Sequence, residues 1–93
     1  MPRAQAPVEA VLSLPASDYQ AAILDISRTG VRLRAEIALP VGQKVGFRAE
    51  DVRAAAEVVW SHHGNCALEF DTPIATCEVQ RLRWVGVERG SDR

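Results

Sequence analysis

Between Val8 and Phe70 the chain falls into six short runs of strand-forming residues, each stopped by turn residues and the first and third in clear alternation; no other feature constrains the fold as strongly. In V-E-A-V-L-S-L, Val8, Ala10, Leu12 and Leu14 share one face while Glu9, Val11 and Ser13 share the other, the pattern of a half-buried strand. Pro15 to Asp18 turns the chain. Residues 19–26 read as a second strand and residues 31–35 as a third, with Val31 and Leu33 inward and Arg32 and Arg34 outward. Pro40 and Gly42 mark I-A-L-P-V-G-Q as a loop, and K-V-G-F-R-A resumes as the fourth strand. After a break at Glu50 to Val52, residues 54–62 and 66–70 supply the last two strands, joined at His63 to Asn65 because Gly64-Asn65 is hairpin-turn chemistry. The alanines at 54–56 also suit a helix, and the V-V-W that follows decides for a strand.

After Phe70 the period changes. Thr72-Pro73 offers a hydroxyl cap before a proline at the first helical position, and Ile74, Cys77, Leu82 and Val85 fall on one helical face. These spacings predict one C-terminal helix of about 12 residues. Short strands with turns every 8 to 12 positions are best satisfied by a small six-stranded antiparallel barrel, which leaves no sheet edge unpaired. The expected architecture is therefore mainly β, a single domain over residues 1–88, with the helix covering one barrel mouth or packing on a partner and residues 89–93 as a frayed tail.

Composition narrows the function. In a chain of 93 residues, 47% hydrophobic and 25% charged, folding buries only ~60–65% of the surface, so the core has no room for unpaired polar groups. No apolar run approaches the ~18 residues of a spanning helix and M-P-R-A-Q-A-P holds no apolar stretch, so we expect a cytoplasmic protein without membrane insertion. Cys66 and Cys77 are then expected as reduced, small buried groups. A net charge of -1 argues against general nucleic-acid binding. Ten of the eleven basic residues are nonetheless arginine, whose planar fork suits phosphate and guanine. Serine, histidine and acid are placed by no catalytic motif and there is no Gly-rich phosphate loop, so an enzyme is not expected. His62, His63 and Cys66 are metal-capable, but extended neighbours point to opposite faces and only three ligands are offered; we expect no metal and no cofactor. Trp60 and Trp84 offer stacking platforms for a base; Trp60, inside V-V-W-S, reads more simply as a barrel-core or rim residue, and Trp84, off the helix's apolar stripe, as part of a contact surface.

Residues 25–30, D-I-S-R-T-G, match the D-x-S-x-x-G motif, and the chain resembles the PilZ family of bacterial cyclic di-GMP receptors. Downstream, the V-R-L-R strand, the L-P-V-G-Q loop, V-V-W-S, G-N-C-A-L-E-F and the terminal helix follow that family's order, so the resemblance covers nearly the whole chain. It implies a non-enzymatic signalling module whose ligand site uses Asp25, Ser27 and Gly30, together with an R-x-x-x-R element before the first strand. Here that element reads R-A-Q-A-P, with Arg3 in its first position and Pro7 in its second. An arginine meets the ligand by bidentate contact to guanine O6 and N7, by stacking, or by pairing with phosphate. The Asp25 carboxylate suits the Watson–Crick edge of guanine; Ser27 offers a hydroxyl and an N–H; Gly30 permits a positive φ and close backbone approach. A purely structural role is the alternative, in which the turn caps its own N–H groups and Gly30 supplies a left-handed conformation. One lost charge-assisted contact is worth about 1.5–3 kcal/mol, so the site implied is weakened roughly tenfold to a hundredfold, with Arg28 and Arg32 as auxiliary cations. The other expectation consistent with Pro7 is a cyclic di-GMP-independent adaptor of the same fold, engaging a protein partner or a second copy of itself.

Overall fold

The structure, a computed structural model, describes residues 8–35 and 37–91, with side chains described as far as Arg83. Six strands precede one helix: β1 (Val8–Ser13), β2 (Asp18–Ile26), β3 (Gly30–Ala35), β4 (Lys44–Ala49), β5 (Val52–His62), β6 (Asn65–Phe70) and α1 (Thr76–Ser91). They close into a barrel in the order β1-β2-β3-β6-β5-β4, with antiparallel pairing throughout. Closure is made where β4 returns to β1, through Val11 opposite Arg48, Leu12 opposite Phe47 and Ser13 opposite Gly46. That pairing satisfies the backbone groups an open sheet would expose. The expected six-stranded barrel with one C-terminal helix is the fold.

Leu12 and Leu33 face the interior, as the alternation predicts. Leu12, Leu33, Phe47, Val52, Val58, Cys66 and Leu68 are almost wholly buried, and no polar or charged side chain among the described residues is buried with them. Phe47 and Phe70 meet at a ring separation of 5.5 Å and a tilt of 54°, an arrangement favoured by the ring quadrupoles. Gly42, at φ 93, turns the loop before β4, and Gly42 and Gln43 bond Val58 of β5 through both of its backbone groups.

Three local expectations change. The β5–β6 turn is His63-Gly64, one residue earlier than expected, and both residues are left-handed at φ 51 and 79. Two positive φ values give the tight turn whose twist matches the flanking strands. His63 therefore leaves the extended path, and its ring lies 3.8 Å from that of His62 instead of facing the opposite way.

The helix starts at Thr76 instead of Pro73 and runs 16 residues, not about 12. Its first turn is capped by the Glu78 carboxylate, which accepts the Ala75 N–H at 2.9 Å, the back half of a capping box. Residues 71–75 stay non-helical because Asp71 and Ile74 donate their N–H groups to Ala55 and Arg28. The shifted start rotates the apolar stripe. Val79 and Leu82 face the barrel with Ile74 just ahead of them, while Cys77, expected on that face, is exposed. Cys66 is buried as expected, and both cysteines are free. Arg3, Pro7 and residues 92–93, for which expectations were stated above, lie outside the described residues, as do the side chains of Trp84 and Val85.

Candidate functional site

The alternation breaks twice, and both breaks serve one face. Ala21, Ile23 and Ile26 of β2 all turn toward the interior, yet Ile23 and Ile26 are three residues apart, a parity that a regular strand cannot satisfy. A bulge between Ile23 and Asp25 absorbs the extra residue and leaves both Leu24 and Asp25 outside. Strand β5 does the same between Val58 and Trp60, exposing Val59 and Trp60 in succession.

With those shifts in place the register runs straight across four strands. Asp25 of β2 lies opposite Arg32 of β3, Arg32 opposite Ala67 of β6, and Ala67 opposite Trp60 of β5. The row points outward and spans about 14 Å at the usual strand spacing. Ala67 is small and only 8% exposed, making a low floor between the guanidinium and the indole. Trp60 is 41% exposed, so its aromatic surface faces solvent. This corrects the expectation of a barrel-core residue: without the bulge Trp60 would point inward.

Beside the row, a shallow cavity of about 230 Å3 is lined by Asp25, Ser27, Gly30, Arg32 and Ala67. The Asp25 carboxylate and the Arg32 guanidinium are 3.9 Å apart and more than half exposed, a loose pair that an incoming group can open. Arg34 projects from the same face two residues along β3, between Ala22 and Asn65.

Ser27 organises the turn from within. Its Oγ accepts the N–H groups of Thr29 and Gly30, both at 3.3 Å, while its own N–H donates to the Gly30 carbonyl at 2.9 Å. The self-capping alternative thus describes Ser27 but not Asp25, which faces Arg32. Gly30 is needed for a reason other than a left-handed φ. Its φ is not positive, but a Cβ there would lie 2.5 Å from the Leu68 carbonyl oxygen, so only glycine lets β3 approach β6.

Arg28 is turned away from the row: its Nε donates to the Ile74 carbonyl at 3.1 Å, and its carbonyl accepts the Ile74 N–H at 2.9 Å. The structure therefore brings together Asp25, Ser27, Gly30 and Arg32, and sets Arg28 on the adjoining segment. His62 and His63 are exposed while Cys66 is buried in the core, so these three side chains do not converge. Trp60, Ala67 and Arg34 join the face without having been assigned to a site from sequence. The signal for Trp60 was present in V-V-W, three bulky apolar residues in a row that a half-exposed strand cannot bury together.

No helix among the described residues is long and apolar enough to cross a membrane. A search of curated proteins returns no match. The model of the PilZ domain matches residues 2–85, nearly the whole chain, in agreement with the closed barrel, the D-I-S-R-T-G turn at the end of β2 and the terminal helix. The chain belongs to the PilZ domain family.

Proposed function

We propose that the chain is a non-enzymatic receptor module for cyclic di-GMP, with the ligand lying along the outer row from the Asp25–Gly30 turn toward Trp60. The alignment of Asp25, Arg32, Ala67 and Trp60 at one register level, produced by two separate bulges, is the observation that carries this reading. It offers a carboxylate for the N–H groups of a guanine edge, a guanidinium for phosphate or guanine, a flat floor and an exposed ring for stacking. Arg34 adds a second cation on the same face, which suits a ligand with two phosphates. Arg3, from the segment before β1, completes the set in this reading, and Pro7 leaves the site weaker than one with two arginines there.

Calorimetric titration of the full chain with cyclic di-GMP tests it. We expect measurable heat and a melting temperature that climbs with ligand concentration as mass action requires. No heat and no thermal shift at millimolar cyclic di-GMP would instead assign the barrel to the ligand-independent adaptor class.

A further inference from the structure

Strand β2 outruns its neighbour. Val8 pairs with Ile23, so the last turn of β2 extends beyond the described part of β1. Ile26 pairs with Val31 one step before the Ser27–Gly30 hydrogen bond, so its carbonyl points away from β3. That carbonyl accepts Nη2 of Arg83, from the third turn of α1, at 2.8 Å. Arg83 reaches it because the preceding residue, Leu82, is buried to 1% exposure and Val79 to 5%, which fixes the helix on the barrel. A second tie lies two residues along. Arg28 of the turn exchanges two hydrogen bonds with Ile74, and the Phe70 N–H donates to the Thr29 carbonyl at 2.8 Å. The backbone of the turn from Ile26 to Thr29 is therefore held at three carbonyls, those of Ile26, Arg28 and Thr29, by Arg83, Ile74 and Phe70, two of which lie within or just ahead of α1.

Resting on the proposed ligand reading of this turn, we infer that α1 belongs to the site: Arg83 and Arg28 are positioning residues that hold the turn in its ligand-ready form, so helix docking and cyclic di-GMP binding reinforce each other. The physical reason is local. The Ile26 carbonyl shares one peptide unit with the Ser27 N–H, so fixing it limits the rotation of that unit, next to Asp25, and less ordering is left for the ligand to impose. Coupling of this kind is reciprocal, so a ligand that orders the turn must tighten α1 on the barrel to the same extent. A partner that peels α1 away would then release ligand, which gives the module an output without any other moving part.

The test uses the full chain, Arg83→Ala, Arg83→Lys and, as a control on the same helix, Arg81→Ala, which breaks an exposed pair with Asp51 of the β4–β5 turn. Amide exchange at residues 27–31 and along α1 is followed with and without cyclic di-GMP, beside calorimetric titration. We expect Arg83→Ala to speed exchange in the turn and weaken binding about fivefold, the share of one partly exposed hydrogen bond. Lysine should restore most of the loss, Arg81→Ala should leave turn and affinity alone, and ligand should slow exchange in wild-type α1. If wild type binds but Arg83→Ala alters neither turn exchange nor affinity, or Arg81→Ala acts identically, the positioning role is overturned while the site reading stands. If wild type fails to bind, the site reading falls, and the coupling with it.

Discussion

Asp25 and Arg32 face one another across β2 and β3 in register, carboxylate to guanidinium at 3.9 Å, with both side chains more than half in solvent. So open a pair contributes at most about 1 kcal/mol to folding and is screened by salt. Its two members are available to a ligand at little cost. Asp25→Ala and Arg32→Ala should therefore leave the melting temperature within a few degrees of wild type while weakening cyclic di-GMP binding by about tenfold or more, as expected for losing a charge-assisted contact. Thermal scans beside titrations check the separation, and a variant that loses stability and affinity together would contradict it.

Gly30→Ala should behave in the opposite way. The new methyl group would meet the Leu68 carbonyl, a backbone atom that cannot swing aside, so β3 and β6 must part locally. We expect a loss of about 1–3 kcal/mol, in the range of other overpacking substitutions. Denaturant unfolding measures it, and a neutral result would show that the two strands can separate there without strain.

The β5–β6 turn carries strain that is easily relieved. His63 holds φ 51, where a residue with a Cβ is disfavoured, and Gly64 follows at φ 79. Asparagine-glycine is the pair best suited to two left-handed positions, so His63→Asn should stabilise the fold by about 0.5–1 kcal/mol. In a domain of this size that is a rise in Tm of about 2–8 °C.

The cysteines should separate by reactivity. Cys77 is exposed and should react with a thiol reagent in the native protein, whereas Cys66, sealed in the core, should react only on unfolding. Desolvation pushes the Cys66 thiol above its ordinary value of 9.0. Below that value both folded and unfolded chains keep the proton and stability is unaffected. Above it the unfolded chain releases a proton that the folded chain retains, so stability falls as pH rises. Lys44 acts in the same direction from 10.5 upward, its ammonium raised chiefly by the hydrogen bond to Asp71, so that ion-pair stabilisation is lost as pH climbs through the raised value. Unfolding curves between pH 8 and 11 should show the decline in wild type from about pH 9 upward and, in Cys66→Ala, only the part at the upper end where Lys44 titrates.

The period-2 pattern was enough to count the strands, assign Leu12 and Leu33 to the interior, and set a helix after Phe70, because burial of alternate side chains is a local property of a strand. The D-I-S-R-T-G turn was legible for the same reason: its residue types are adjacent in the chain. What the sequence could not decide was anything set by the meeting of distant segments. The bulges at Leu24 and Val59, and hence the exposure of Trp60, follow from the registers that neighbouring strands impose. The need for glycine at position 30 comes from the Leu68 carbonyl, and the commitment of Arg28 and Arg83 to backbone carbonyls comes from where α1 docks. Side-chain periodicity is written residue by residue, whereas register, close approach and docking are compromises among all six strands and the helix, and they exist only once the barrel has closed.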